Sequence, residues 1–398
     1  MAIGSNMKIC IINNLYPPYA RGGAEQVVKR TVDGLLKQGN DVVLITSTPD
    51  DEGVEEQVHL KIYRIRPRNI FFYTQAHKHD IASRFLWHII DMFNVFVSRE
   101  TKRILTWEKP DIVHTHNLMG LSFLIPQTIR ALGIRHVHTV HDVQLVEPSG
   151  IILKTRENSW RYTGFPTKLY TWIMKKLLGS PEVVISPSQF LLDFYKARGF
   201  FRNSAKTLLR NPLTLDFKEE KGERVSTETF NFLYLGQVED HKGIFLLGEA
   251  FEKISDAVLH IVGDGSRLEN LKEYTKGNKH VVYHGRVDRE KLPELFSMMD
   301  VTVVPSLCYE NSPTVIFESL YFGVPVLASR IEGIAELIEE GENGFTFEAG
   351  DVSSLIHKLS WCVEHKKEID SMRIKIPTTS RSEGEYIEKL ITLYSKSV

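Results

Sequence analysis

Apolar residues along this chain fall into two alternating rhythms. Short runs at residues 8–13 (KICIIN), 41–46 (DVVLIT), 61–65, 111–116 (DIVHTH), 135–140 (RHVHTV) and 183–186 have the length and β-branched content of buried strands. Between them lie segments with apolar residues every three to four positions. In 24–38, for example, Val27, Val28, Val32, Leu35 and Leu36 share one helical face, and Gly39 ends it. Further helices are expected at 81–105, 121–131, 168–178 and 189–198. The charged, apolar-poor stretch 219–229 reads as a linker. A second series follows: strand 230–235, helix 245–254, strand 258–262, helix 267–276, strand 280–283, helix 289–298, strand 300–304, a loop and helix over 306–325, strand 324–328, helix 334–340, a GENG turn, and closing helices. Strand–helix alternation in both halves predicts an α/β protein of two Rossmann-like domains with parallel sheets, 7–213 and 214–379. Ligands of such folds sit outside the carboxyl ends of the strands, here expected in the cleft between the domains.

The stretch 306–325 (SLCYENSPTVIFESLYFGVP) concentrates the chemistry. Ser312 is placed to cap a helix with Pro313 at its first position, and Gly323 and Pro325 close it. A strand thus delivers Glu310 to the start of a helix that bears Glu318, and that start is a favourable place for phosphate. Two solvated glutamates on an ordinary turn are the alternative. If both lay on one helix, eight residues would separate them by about 12 Å of rise. A glycosidase pair needs roughly 5–5.5 or 6.5–9.5 Å, so hydrolysis fits poorly.

Length and composition set outer bounds. The chain has 398 residues, 42% hydrophobic and 25% charged, which suits two soluble domains. The first six residues (MAIGSN) read as an appended leader, with Met7 the natural start. Cys10, Cys308 and Cys362 form no CxxC pair and no disulfide framework, in keeping with a reducing, cytoplasmic setting. No apolar run reaches eighteen residues. The net charge of −1 conceals a balance of +10 over residues 1–215 and −11 over 216–398, which suggests halves that face different partners or attract each other.

Other candidates are weighed in turn. Gly22-Gly23 in the first strand–helix turn lacks the dinucleotide fingerprint GxGxxG but permits close backbone approach to a ligand. His136, His138 and His141 spell HxHxxH. The third lies past the strand end and no carboxylate completes a site, so structural histidines are the better reading, as for His114 and His116. Residues 154–176 mix Lys154, Arg156, Lys168, Lys175 and Lys176 with Trp160, Tyr170 and Trp172. They are either a packed surface helix or a contact for an anionic membrane or a lipid-linked substrate. No motif supports nucleic acid as a partner.

In combination these residues resemble glycosyltransferase family 4, whose members use nucleotide sugars and have the GT-B fold of two facing Rossmann-like domains. Glu310 and Glu318 match the family's E-x7-E motif within PSLCYENSPTVIFESLYFGVPVLAS. The turns at 236–243, 263–265, 284–286, Gly333-x-x-Glu336 and Asn343-Gly344 also correspond, as do Gly22-Gly23-Ala24-Glu25 and Thr139–Asp142 in the first half. The resemblance spans residues 7–398 and implies that a final helix near 380–398 crosses back onto the first domain. It implies a retaining transfer from a nucleoside diphosphate sugar to a glycan, lipid-linked or small-molecule acceptor. His141 would touch the sugar, Lys242 would neutralise the leaving phosphate, and Glu310 would hold a sugar hydroxyl. Glu318 would accept from the ribose hydroxyls. Asn311, Ser312 and the helix N-terminus near Pro313–Val315, with the N–H of Thr314 in it, would face the diphosphate, and Gly22 and Gly23 would close over it. No DxD motif occurs, so no cofactor and no obligatory metal is expected. Gln237 stands where the family commonly has an arginine, which removes a charge that Arg286 or Arg21 would have to replace. A nucleotide-sugar epimerase of the same fold, or a non-catalytic nucleotide-sugar-binding subunit, are the alternatives. Acceptor choice is expected in the loops around 64–80 and 145–175.

Overall fold

A computed structural model describes residues 6–19, 22–212, 225, 227–376 and 383–395. The chain divides into two compact units. The first comprises residues up to Gly150, Trp160–Pro212 and Glu383 onward; the second comprises Ile151–Ser159 and the span from 213 to 382. Residues 151–159 thus belong to the second unit, although the sequence pattern groups them with the first. The linker expected at 219–229 falls mostly outside the described residues.

The first unit is built on an eight-stranded sheet. Its strands are β1 (Lys8–Ile12), β2 (Asp41–Ser47), β3 (Gly53–Gln57), β4 (Leu60–Ile65), β5 (Ile112–Thr115), β6 (Arg135–Thr139), β7 (Val183–Ser186) and β8 (Ala205–Leu208). Their order is β3-β4-β2-β1-β5-β6-β7-β8, parallel except for β3, which pairs antiparallel with β4. The central strands are buried along their length, as expected when helices cover both faces. The helical pattern at 81–105 is two helices, Ile81–Met92 and Val95–Glu108. Asn94 separates them by capping the second, its side chain accepting from Val97 N–H at 3.2 Å. The Glu383–Ser395 helix inserts Tyr386, Ile387, Leu390 and Tyr394 into the same core as Ile9, Val28, Val32, Leu44 and Ile185.

The second unit has a six-stranded parallel sheet of β9 (Phe230–Leu235), β10 (Ala257–Val262), β11 (Val281–Gly285), β12 (Val301–Val304), β13 (Val326–Ser329) and β14 (Gly344–Phe347). Their order is β11-β10-β9-β12-β13-β14. β9 and β12 are adjacent across the point where strand order reverses, the place where open α/β sheets bind ligands. Phe232, Phe251, Leu259, Val303 and Phe347 fill the core beside it.

Candidate active site

Two groups of side chains collect at the carboxyl ends of these sheets, one in each unit. In the second unit, β12 leads into the loop 305–313 and the helix Thr314–Tyr321. The helix begins one residue later than the sequence suggests. Pro313 occupies the N-cap position, without a side-chain cap, so the expectation that Ser312 caps it is corrected. Proline's fixed φ delivers the chain into the helix, and the amides of Thr314 and Val315 lie in its first turn, where no intrahelical acceptor exists. Glu318 is buried in the middle of the helix, and Asn311 and Ser312 are buried ahead of it.

The β9 loop brings Lys242 to this place. Its Nζ is ion paired with Glu310 Oε1, and Ser306 Oγ donates to the same oxygen at 3.0 Å. Burial works against the Lys242 charge, but the Glu310 carboxylate more than offsets it and the ammonium's pKa is raised. Gly243 lets the two loops meet. It is left-handed (φ 72°), and a Cβ there would lie 1.8 Å from the Pro305 carbonyl oxygen. Gly333 does the same on the other side, where a Cβ would lie 2.0 Å from the Glu310 carbonyl oxygen. Leu307 N–H also donates to the His241 carbonyl at 2.9 Å. Residues 151–159 complete the loop's support. Leu153 bridges Cys308 antiparallel, Lys154 N–H donates to Leu307 O and Tyr309 N–H to Ile152 O. The Lys154 ammonium pairs with Glu332 and Glu157, and Glu157 accepts from the Tyr309 hydroxyl.

Gln237 is exposed on the β9 loop, its carbonyl accepting from the Tyr234 hydroxyl at 2.5 Å. Arg286 is exposed after β11 and makes no ion pair among the described residues. Arg21 lies outside the described residues. Among the described residues, Lys242 is the cation paired with Glu310.

In the first unit, His141 follows β6 and its Nε2 lies 2.9 Å from Nδ1 of His116, which follows β5. Burial pulls the His141 pKa down to about 4, so the ring is neutral near pH 7. Asp142 is pushed up to about 6, first by burial and further by the Glu25 carboxylate. Its Oδ1 accepts from Gln144 N–H at 2.8 Å. The Glu25 carboxylate thus ties the glycine turn to this group. Gly22 N–H donates to Glu25 Oε2 at 2.8 Å, and the helix Gly23–Lys37 starts there. Gly22 has an extended backbone (φ −146°), and a Cβ would meet nothing closer than Glu25 Oε2 at 3.4 Å. Among the described residues nothing packs closely enough to demand glycine at 22. A small cavity of about 20 Å³ is lined by His116, His138, His141, Asp142 and Tyr195 among others. His116, read from the sequence as a structural histidine, is the residue whose place beside His141 the sequence does not show. The HTH spacing put His114 and His116 on one strand face, but only the packing of β5 beside β6 shows that His116 reaches His141. Among the described residues no group of three or more His, Cys, Asp or Glu is arranged to hold a metal ion.

Comparison with known proteins identifies the family and the fold. The model of Glycosyltransferase Family 4 matches residues 21–213, and that of Glycosyl transferases group 1 matches residues 216–377. An uncharacterized 42.6 kDa protein in the cps region of Klebsiella pneumoniae is 28% identical over 346 residues, which cover 83% of this chain and 87% of the relative. Sucrose-phosphate synthase from Thermosynechococcus elongatus superposes with a TM-score of 0.74 at 20% identity, covering 98% of both chains. Anabaena HepE in complex with UDP-glucose superposes with a TM-score of 0.69 at 15% identity, covering 98% of this chain and 100% of that one. At such identities the structural matches speak to the fold, which is GT-B. None of them favours an epimerase or a non-catalytic subunit. With its two halves matched in sequence by the two domain models and in fold by GT-B structures, the chain belongs to glycosyltransferase family 4 and is a glycosyltransferase.

Proposed function

We propose that this glycosyltransferase takes its sugar from a nucleoside diphosphate sugar and passes it to a glycan or lipid-linked acceptor with retention at the anomeric carbon. The observation that carries this reading is the Lys242–Glu310 pair set beside the first turn of the Thr314–Tyr321 helix, with Glu318 buried behind it. The binding of UDP-glucose by HepE, a protein of the same fold, supports a donor of that class. The bond from the anomeric carbon to the phosphate oxygen breaks with its electron pair going to the diphosphate. Lys242 and the Thr314 and Val315 amides stabilise that charge, the work a metal does elsewhere. The acceptor hydroxyl attacks on the face the phosphate leaves, and its proton passes to the departing phosphate oxygen. Glu318 holds the ribose hydroxyls, Glu310 a sugar hydroxyl, and His141 serves the sugar. Asn311, Ser312, Pro313 and the Gly22-Gly23 turn serve the diphosphate. Gln237 contributes hydrogen bonds without charge, so Lys242 carries most of the side-chain charge at the leaving group. Product analysis with a panel of labelled nucleotide sugars tests the reading. Transfer to an acceptor supports it; an isomerised donor, or binding without turnover, overturns it.

A peripheral membrane contact is favoured by a separate observation. No described helix is long and apolar enough to cross a membrane. Yet in the first unit Ile81, Phe85 and Ile89 are exposed along one face of the Ile81–Met92 helix, and Phe165, Leu169 and Trp172 along the Phe165–Leu178 helix. The latter helix carries exposed Lys168 and Lys176. Its Lys175 reaches the Arg198 carbonyl at 3.2 Å, beside a recess lined by Lys196, Arg198, Arg202 and Lys206. Apolar side chains flanked by cations suit an anionic bilayer surface. Co-sedimentation with phosphatidylglycerol vesicles at low salt tests this; no binding there would contradict it.

A further inference from the structure

Behind His141 stands a file of buried rings that the transfer chemistry leaves unexplained. β5 and β6 pair in parallel, with His114 opposite Val137 and Thr115 opposite His138. His116 stacks on His141 with ring centroids 5.2 Å apart, and His114 packs on His116 at 4.1 Å. His114 is pinned at both nitrogens: Nδ1 lies 2.6 Å from the Tyr394 hydroxyl on the Glu383–Ser395 helix, and Nε2 lies 2.7 Å from Thr139 Oγ1. His116 is pinned at one. Its Nδ1 faces Nε2 of His141 at 2.9 Å, while its own Nε2 is buried with no hydrogen-bond partner among the described residues.

That orphan nitrogen decides where the proton sits. Burial keeps His116 and His141 neutral near pH 7, so each ring carries one N–H. If His141 donated from Nε2, the His116 proton would sit on Nε2, a buried N–H with nothing to donate to. If His116 donates from Nδ1, its Nε2 is a bare acceptor. Orphaned buried donors are the rarer of the two. We propose that His116 is a positioning residue for His141: its Nδ1–H donates to His141 Nε2, fixes the ring's orientation, and holds His141 as the Nδ1–H tautomer. The inference rests on the reading of His141 as the histidine that serves the sugar. His114, Thr139 and Tyr394 back His116, so the C-terminal helix contributes to the order of the active histidine without touching it.

The full-length protein labelled with 15N-histidine tests this by nitrogen chemical shifts at pH 7, with the His141 resonances assigned by their loss in His141→Gln. The expected result is an Nδ1–H tautomer for His141 in the wild type and a tautomer mixture in His116→Phe, which keeps the stacking and removes the donor. Turnover in His116→Phe should fall by roughly 10–100-fold with the donor KM unchanged. His116→Asn, whose amide replaces the Nδ1–H, should recover most of it. An Nε2–H tautomer for wild-type His141 overturns the proposal, and so does wild-type turnover in His116→Phe when His141→Ala is inactive. Wild-type turnover in His141→Ala overturns the catalytic reading of His141, and the positioning role with it.

Discussion

Lys242 and Glu310, 68 positions apart in the chain, form an ion pair, and Ser306 donates to the same carboxylate oxygen. A lysine so paired offers its charge to a phosphate only partly. Glu310 therefore both supports the ammonium and competes with the diphosphate for it. Glu310→Gln should bind a bare nucleoside diphosphate more tightly than wild type, because Lys242 is released. It should nonetheless transfer sugar more slowly, because the carboxylate proposed to hold a sugar hydroxyl is lost. Calorimetry with the diphosphate, set beside transfer rates, checks both directions.

Lys242→Ala removes the side-chain charge without an arginine at 237 to replace it. Loss of one preorganised donor at a developing anion costs about 10²–10³ in kcat. A steady-state assay of nucleoside diphosphate release measures this, and near-normal transfer by Lys242→Ala would contradict the role given to it.

Glu318 is expected to act in binding rather than in the chemical step. A hydrogen bond to a charged group contributes about 1.5–3 kcal/mol, so Glu318→Ala should raise the donor KM by roughly 10–150-fold with little change in kcat. A fall in kcat at an unchanged KM would move Glu318 into the reaction itself.

The buried histidines predict an acid-sensitive first unit. Burial lowers the pKa of His114, His116, His136, His138 and His141 below the ordinary 6.5, with His138 at about 3 and His141 at about 4. Below pH 6.5 the unfolded chain binds protons that the folded rings refuse, so stability rises with pH through this window and is lost as pH falls. Each such histidine adds a slope of up to about 1.4 kcal/mol per pH unit. Melting temperatures recorded from pH 8 to pH 5 should be flat above 7 and drop steeply below 6.

Tyr394→Phe tests the docking of the last helix. It leaves the His114 Nδ1 without its hydroxyl, a loss of about 1–3 kcal/mol for a buried group. Urea denaturation should show this as a lower midpoint.

Much of the fold could be read from the chain because its strands are short, apolar and β-branched, and its helices carry clear periodicity. Three strands escaped for physical reasons. β3 (GVEEQ) is exposed along its whole length and β8 (AKTL) has no buried residue, while β14 (GFTF) is largely buried but only four residues long, directly after the GENG turn. Asn94 was invisible as a cap inside an apolar stretch until its side chain was seen on Val97 N–H. The attachment of residues 151–159 to the Leu307–Tyr309 loop is a long-range bridge with no local pattern. In the candidate site, Glu310 and Glu318 stand out by their spacing and Lys242 by the family resemblance of its loop. Neither signal shows that Lys242 and Glu310 pair, or that His116 reaches His141, since both depend on which strands lie side by side.

The most direct test of the account is calorimetric titration of the protein with UDP-, ADP- and GDP-linked sugars in the presence of EDTA, alongside Glu318→Ala. The account predicts saturable binding of at least one of them without metal, and weaker binding of the same ligand to Glu318→Ala. Failure of every nucleotide sugar to bind, or equal binding by Glu318→Ala, would contradict it.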